Sequence, residues 1–102
     1  MNNNVNIGSK YLPIGTVCLL KNAKKRVMIT GFVVKSIVSN NLVTYDYAGC
    51  LYPEGIIQSD KNLLFNHEDI IQVYFMGYSD AEEKLFKTKL NELVSTLDKK
   101  SN

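Results

Sequence analysis

The chain reads as an α+β domain: a small, mainly antiparallel β-sheet of about five strands followed by one C-terminal α-helix. Two observations predict it. Between residues 16 and 76, short runs rich in β-branched and aromatic side chains alternate with Asn, Gly, Pro and Asp turns. After Gly77-Tyr78 the apolar period changes to that of a helix, with a stripe on Leu85, Phe86, Leu90, Leu93, Val94 and Leu97. Strands first and a helix last is the α+β order.

Each element has its own signal. Residues 1–10 are Asn-rich and lack apolar periodicity, so they are expected to form a flexible leader ahead of a single domain over 11–98 and a frayed tail over 99–102. Tyr11-Leu12-Pro13-Ile14-Gly15 makes an opening turn, with Pro13 fixing one backbone angle and Gly15 permitting an unusual one. A first strand over 16–20 is followed by the polar hairpin Asn22-Ala23-Lys24-Lys25 and a second strand over 26–34, which Lys35 to Val38 extends or bends away from. On that strand Val27, Ile29, Gly31 and Val33 alternate with Met28, Thr30, Phe32 and Val34. Both faces are apolar, which predicts a central strand, and Gly31 marks a bulge or a close approach.

Asn40-Asn41 is the next turn, since Asn tolerates left-handed angles. A third strand spans 42–47. The aromatic loop Tyr45-Asp46-Tyr47-Ala48-Gly49-Cys50-Leu51-Tyr52-Pro53-Glu54-Gly55 carries half of the six tyrosines and closes in a Pro/Gly reversal. A short strand is expected over 56–58, before the polar Ser59-Asp60-Lys61-Asn62. Leu63-Leu64-Phe65 is a brief apolar run and Asn66-His67-Glu68-Asp69 a polar turn, after which 70–76 forms the last strand. Ser79-Asp80-Ala81-Glu82 has capping-box form with Ser79 at the N-cap, and Lys99 and Lys100 suit the far end of the helix dipole.

Length and composition narrow the function classes. One core fits in 102 residues, and a chain of that size buries roughly two thirds of its unfolded surface. Hydrophobic content of 45% with 22% charged residues excludes a wholly disordered chain. The net charge of +2 supplies no global field for nucleic acid or anionic lipid. The cluster Lys21, Lys24, Lys25 and Arg26 therefore reads first as a solvated hairpin tip.

Met1-Asn2-Asn3-Asn4 has neither the basic nor the apolar region of a signal peptide, and no apolar run approaches ~18 residues. A cytoplasmic, reduced protein without membrane insertion is expected. Cys18 and Cys50 then read as buried free thiols, although a disulfide between them stays open, and they lie too far from His67 in sequence to suggest a zinc site.

Chemistry-bearing constellations are few. His67-Glu68-Asp69 is where a histidine meets carboxylates, but Asn66 and Asp69 have an easier role as turn formers. The scattered glycines match no phosphate cradle, and no serine sits in a nucleophile elbow. The expectation is a protein that is not an enzyme and needs no cofactor or metal. Tyr45, Tyr47, Tyr52, Pro53 and Glu54 are the candidate partner-binding residues, because rigid aromatics give large contact area at low entropic cost. The competing reading places the tyrosines in the core, with their hydroxyls reaching the surface. Surplus apolar surface on the helix, at Leu85 and Val94, offers a second contact face.

The order of motifs resembles a family of small bacterial proteins classed as a domain of unknown function. The likeness lies in Tyr11-Leu12-Pro13-Ile14-Gly15-Thr16-Val17, Leu19-Leu20-Lys21 and Lys25 to Gly31, then in Tyr45-Asp46-Tyr47 with Cys50 to Gly55. Phe65-Asn66-His67-Glu68-Asp69-Ile70 and Phe75-Met76-Gly77-Tyr78 complete it. Members occur mainly in Gram-positive bacteria beside type VII secretion genes and LXG toxins. The resemblance implies a cytosolic accessory protein, a chaperone or targeting factor, that binds a cognate toxin before export. A toxin-neutralising immunity protein is the first alternative, and a small nucleic-acid-binding β domain the second.

Overall fold

A computed structural model describes residues 7–58 and 62–100, with the helix side chains described through Thr96. Expectations for residues 1–6, for Ser59, Asp60 and Lys61, for the Leu97, Lys99 and Lys100 side chains and for the last two residues lie outside the described residues. The elements are β1 (Val17–Leu20), β2 (Arg26–Val38), β3 (Asn41–Tyr52), β4 (Leu63–Phe65), a 3-10 turn (His67–Asp69), β5 (Ile70–Phe75) and α1 (Ala81–Lys100). The strands form one sheet in the order β4-β3-β2-β1-β5, every neighbouring pair antiparallel. The α+β architecture is as expected.

Strand alternation gives the sheet two distinct faces. Across four strands, Leu51, Val27, Cys18 and Val73 lie opposite one another in one row, and Cys50, Met28, Val17 and Phe75 in the next. The first row belongs to the main core, with Ile29, Tyr47, Phe65 and Ile70. The helix lies on this side: Leu90 is buried in the cluster, Val94 packs against it, and the Phe86 ring sits 5.9 Å from Phe32.

Five local expectations need correction. The third strand does not stop at Tyr47 but runs on to Tyr52, so most of the presumed aromatic loop is strand. Gly49 within it is required: a Cβ there would lie 2.7 Å from Met28 O and 3.0 Å from the Phe65 ring. Residues 56–58 form no strand; the chain instead reverses after Pro53, with Gly55 N–H donating to Leu51 O at 2.7 Å and Gly55 at φ 79. The β2–β3 hairpin turns on Ser39 and Asn40, at φ 52 and 68, one residue earlier than expected. Two successive left-handed residues give the tight turn whose twist matches antiparallel strands.

The fourth correction concerns the faces of β2. Ile29 pairs with Gly49 but Gly31 with Ala48, so one extra residue is accommodated at Thr30. The slip moves Phe32 onto the face of Ile29, opposite Tyr47, where simple alternation had placed it on the other side. The expected bulge near Gly31 is present, and β2 has paired neighbours on both sides.

The helix cap also shifts by one. Asp80, not Ser79, accepts the N–H of Glu83 through Oδ1 at 2.9 Å, while the Ser79 hydroxyl donates to the Glu83 carboxylate at 2.6 Å. A carboxylate at the N-cap meets both the free amides and the positive end of the helix dipole.

Between sheet and helix the chain crosses itself at close range. Thr16, fully buried, accepts Gly77 N–H at 2.9 Å and contacts Met76 Sδ at 3.7 Å. A Cβ on Gly77 would lie 2.9 Å from Thr16 N and closer still to Ile14 O, both rigid backbone atoms. Gly77→Ala should lower unfolding stability by roughly 1–3 kcal/mol through overpacking, read as a lower urea midpoint at unchanged slope.

Cys18 and Cys50 are both free and buried, in rows of opposite facing and on strands separated by β2. Two strand spacings, about 9–10 Å, exceed the reach of a disulfide. Burial pushes the Cys18 thiol from 9.0 up to about 11. Its folded value lies above the unfolded one, so the stability from keeping it neutral is complete below pH 9 and lost as the pH rises to 11. Denaturant midpoints measured across that window should fall less steeply for Cys18→Ala than for the wild type.

Candidate functional site

The histidine-carboxylate motif folds into a polar clasp around Tyr47. Asn66 N–H donates to Asp69 Oδ2 at 2.9 Å, closing the short turn on itself. Asp46 on β3 holds the turn from the other side: its N–H donates to Asn66 Oδ1 at 3.0 Å and its Oδ2 accepts His67 N–H at 2.8 Å. Lys10 approaches Asp46 Oδ1 at 3.4 Å, and Lys21 approaches Asp69 at 3.6 Å.

Tyr47 lies at the centre, with 0% of its surface exposed, stacked on Phe65 at 5.4 Å. Leu12 N–H donates to its hydroxyl at 3.0 Å, which directs the phenolic proton to His67 Nδ1 at 2.8 Å. His67 then carries its own proton on Nε2, facing the Gly8 carbonyl at 3.0 Å. Burial pushes the Tyr47 phenol upward, and the Leu12 amide opposes this only in part, so the hydroxyl stays protonated. Both imidazole nitrogens, and the Asp46 and Asp69 carboxylates, are thus engaged in fastening the N-terminal segment and the turn to β3. Among the described residues, no group of three or more His, Cys, Asp or Glu side chains is placed to hold a metal ion.

The five candidate contact residues fall in three places. Tyr47 is core and can meet no partner in the folded protein. Tyr45 is half-buried, across from Val34 in the distal part of the β2–β3 hairpin. Tyr52, Pro53 and Glu54 are exposed together at the end of β3. Lys25 donates to the Glu54 carboxylate at 2.6 Å, and this hydrogen bond is the main reason that the carboxyl titrates below its ordinary range. Arg26 is the cross-strand partner of Tyr52, its guanidinium 5.2 Å from the ring centre.

Of these residues, Arg26 and Tyr52 line a groove of about 400 Å³ on the sheet face opposite the main core. Val17 and Met28 make its floor, Tyr52, Tyr74 and Phe75 its walls, and Arg26 its polar rim. Phe75 is 62% exposed and Tyr74 50%, unusual for such large apolar surfaces. The wall from β5 is the part that sequence reasoning missed. Its signal was present in residues 70–76, which are apolar at nearly every position although their strand lies at the sheet edge. On the helix, Leu85 and Leu93 point outward at 58% and 53% exposure, whereas Val94 belongs to the core contact.

A family model described as "Domain of unknown function (DUF4176)" matches residues 11–86. The chain belongs to the DUF4176 family. The matched DUF4176 segment runs from the buried Tyr11 to Phe86 on the helix, enclosing the whole sheet, Tyr47 with its Leu12 and His67 partners, and every groove residue. No curated protein and no solved structure matches this DUF4176 chain.

Tyr47→Phe separates a structural clasp from a reactive one. Loss of the hydroxyl strands Leu12 N–H and the His67 ring, so unfolding stability should drop by roughly 1–3 kcal/mol in chemical denaturation.

Proposed function

We propose that this DUF4176 protein is a cytosolic accessory factor of type VII secretion in Gram-positive bacteria, a chaperone or targeting protein that binds a cognate LXG-type toxin by fit alone. The groove carries this reading. Aromatic walls over an apolar floor, with a single guanidinium at the rim, have the composition of a protein-contact hot spot rather than of a solvated surface. The engagement of His67, Asp46 and Asp69 in the fold supports stoichiometric binding over acid-base chemistry. Such a factor acts by mass action, stabilising its client in proportion to concentration over Kd.

The basic hairpin gives the nucleic-acid alternative little support. Lys21 pairs with Asp69, Lys25 with Glu54, and Arg26 lies against Tyr52. Among the described residues, no helix is long and apolar enough to cross a membrane.

Co-expression with the LXG toxin encoded beside its gene tests the proposal. The toxin should copurify with the chain, deletion of the gene should reduce its accumulation and export, and Tyr52→Ala with Phe75→Ala should release it without unfolding the protein. Normal toxin levels and unimpaired export after deletion would overturn the chaperone role. Rescue of toxin-susceptible cells by this chain alone would point instead to immunity.

A further inference from the structure

The rim and walls of the groove differ in kind, and the difference specifies a ligand. Among the described residues Arg26 makes no ion pair, whereas its neighbours Lys21 and Lys25 each meet a carboxylate. Its guanidinium carbon lies 5.2 Å from the centre of the Tyr52 ring, and a guanidinium takes a carboxylate through its N–H edges in fork geometry. The neighbouring Glu54 carboxylate is hydrogen-bonded by Lys25 at 2.6 Å. Beside this cation, the volume bounded by Tyr52, Tyr74 and Phe75 over Val17 and Met28 suits large apolar side chains.

Resting on the protein-binding reading above, we infer that the groove receives a peptide segment in which an aromatic or large aliphatic side chain neighbours an Asp or Glu. The apolar side chain seats between Tyr52, Tyr74 and Phe75, and the carboxylate pairs with Arg26. Charge complementarity selects this occupant: Arg26, which has no salt bridge among the described residues and feels Glu54 only through space, adjoins the apolar opening. A phosphate backbone fits less well, because Glu54 is close to Arg26 and apolar walls give phosphates no partner.

A random peptide library displayed on phage, panned against the full-length protein, tests this without knowledge of the client. The wild type should enrich peptides with a carboxylate adjacent to an aromatic or large aliphatic residue. Arg26→Glu should shift the preference to Lys or Arg at that place. For the best acidic peptide, Arg26→Gln and Phe75→Ala should each weaken binding roughly 10-fold or more, with thermal melts showing that the variants fold. No enrichment, enrichment without an acidic preference, or the same peptides on Arg26→Glu would each overturn the inference. So would displacement of the peptide by a mixed oligonucleotide with steep salt dependence, which marks a phosphate site. Toxin copurification that survives Arg26→Glu would refute the groove chemistry while leaving the accessory role intact. Failure of the toxin to bind the wild type would strike the accessory role, and the peptide preference would be read independently.

Discussion

A single buried phenol sets the conditions for the rest of this structure. The Tyr47 hydroxyl accepts a hydrogen bond from the Leu12 amide and donates one to His67, so two segments distant in sequence are fixed to the middle of β3. A buried hydroxyl left without partners would cost on the order of 1–3 kcal/mol, a large share of the stability of a domain this small. The demand for partners at that point draws in the N-terminal segment and the 66–69 turn. The turn, through Lys21 N–H on Asp69 O, then steadies the β1–β2 connection and the start of β5. The motif that looks most like catalytic apparatus is in this way the fastening of the fold.

The two faces of the sheet divide the remaining tasks. One carries Cys18, Val27, Ile29, Phe32 and Tyr47 beneath the helix, and depends on an extra residue at Thr30 to bring Phe32 to that side. The other carries the row Cys50, Met28, Val17 and Phe75, in which exposure climbs at the edge strand, from 6% at Val17 to 62% at Phe75. The groove lies where that gradient opens, between the end of β3 and the edge strand β5. Its position follows from register: Arg26 and Tyr52 face each other because Val27 and Leu51 must face each other in the core.

Most of the fold was legible because its signals are local. Pro13 and Gly15 do form a turn, with Thr16 N–H on Pro13 O at 3.1 Å and Gly15 at φ 92. The last strand and the helix after Asp80 also form where expected, although irregularities opposite β1 put Val73 and Phe75 on different faces. The misreadings share a physical origin, since each depends on a neighbour distant in sequence. The third strand reads as ending at Tyr47 until β4 is found paired along its continuation. Phe32 falls on the wrong face until the β2–β3 register reveals the slip at Thr30. Tyr47 and Tyr52 are five residues apart and chemically alike, yet one is sealed beneath Phe65 and Tyr11 and the other opens to solvent. Sequence singles out both tyrosines as candidate contacts; burial removes Tyr47 and leaves Tyr52 accessible. The β5 wall went unrecognised because which apolar residues at a sheet edge stay bare is settled by tertiary contacts.

The floor of the groove is cut from the same antiparallel ladder that holds the core row. Val17 and Met28 cannot rearrange without disturbing Cys18 and Val27 beside them. A surface of this kind is preorganised: the loss of conformational freedom on association falls mainly on whatever settles against it. Whatever docks there meets a shape already set by the pairing of β1 with β2.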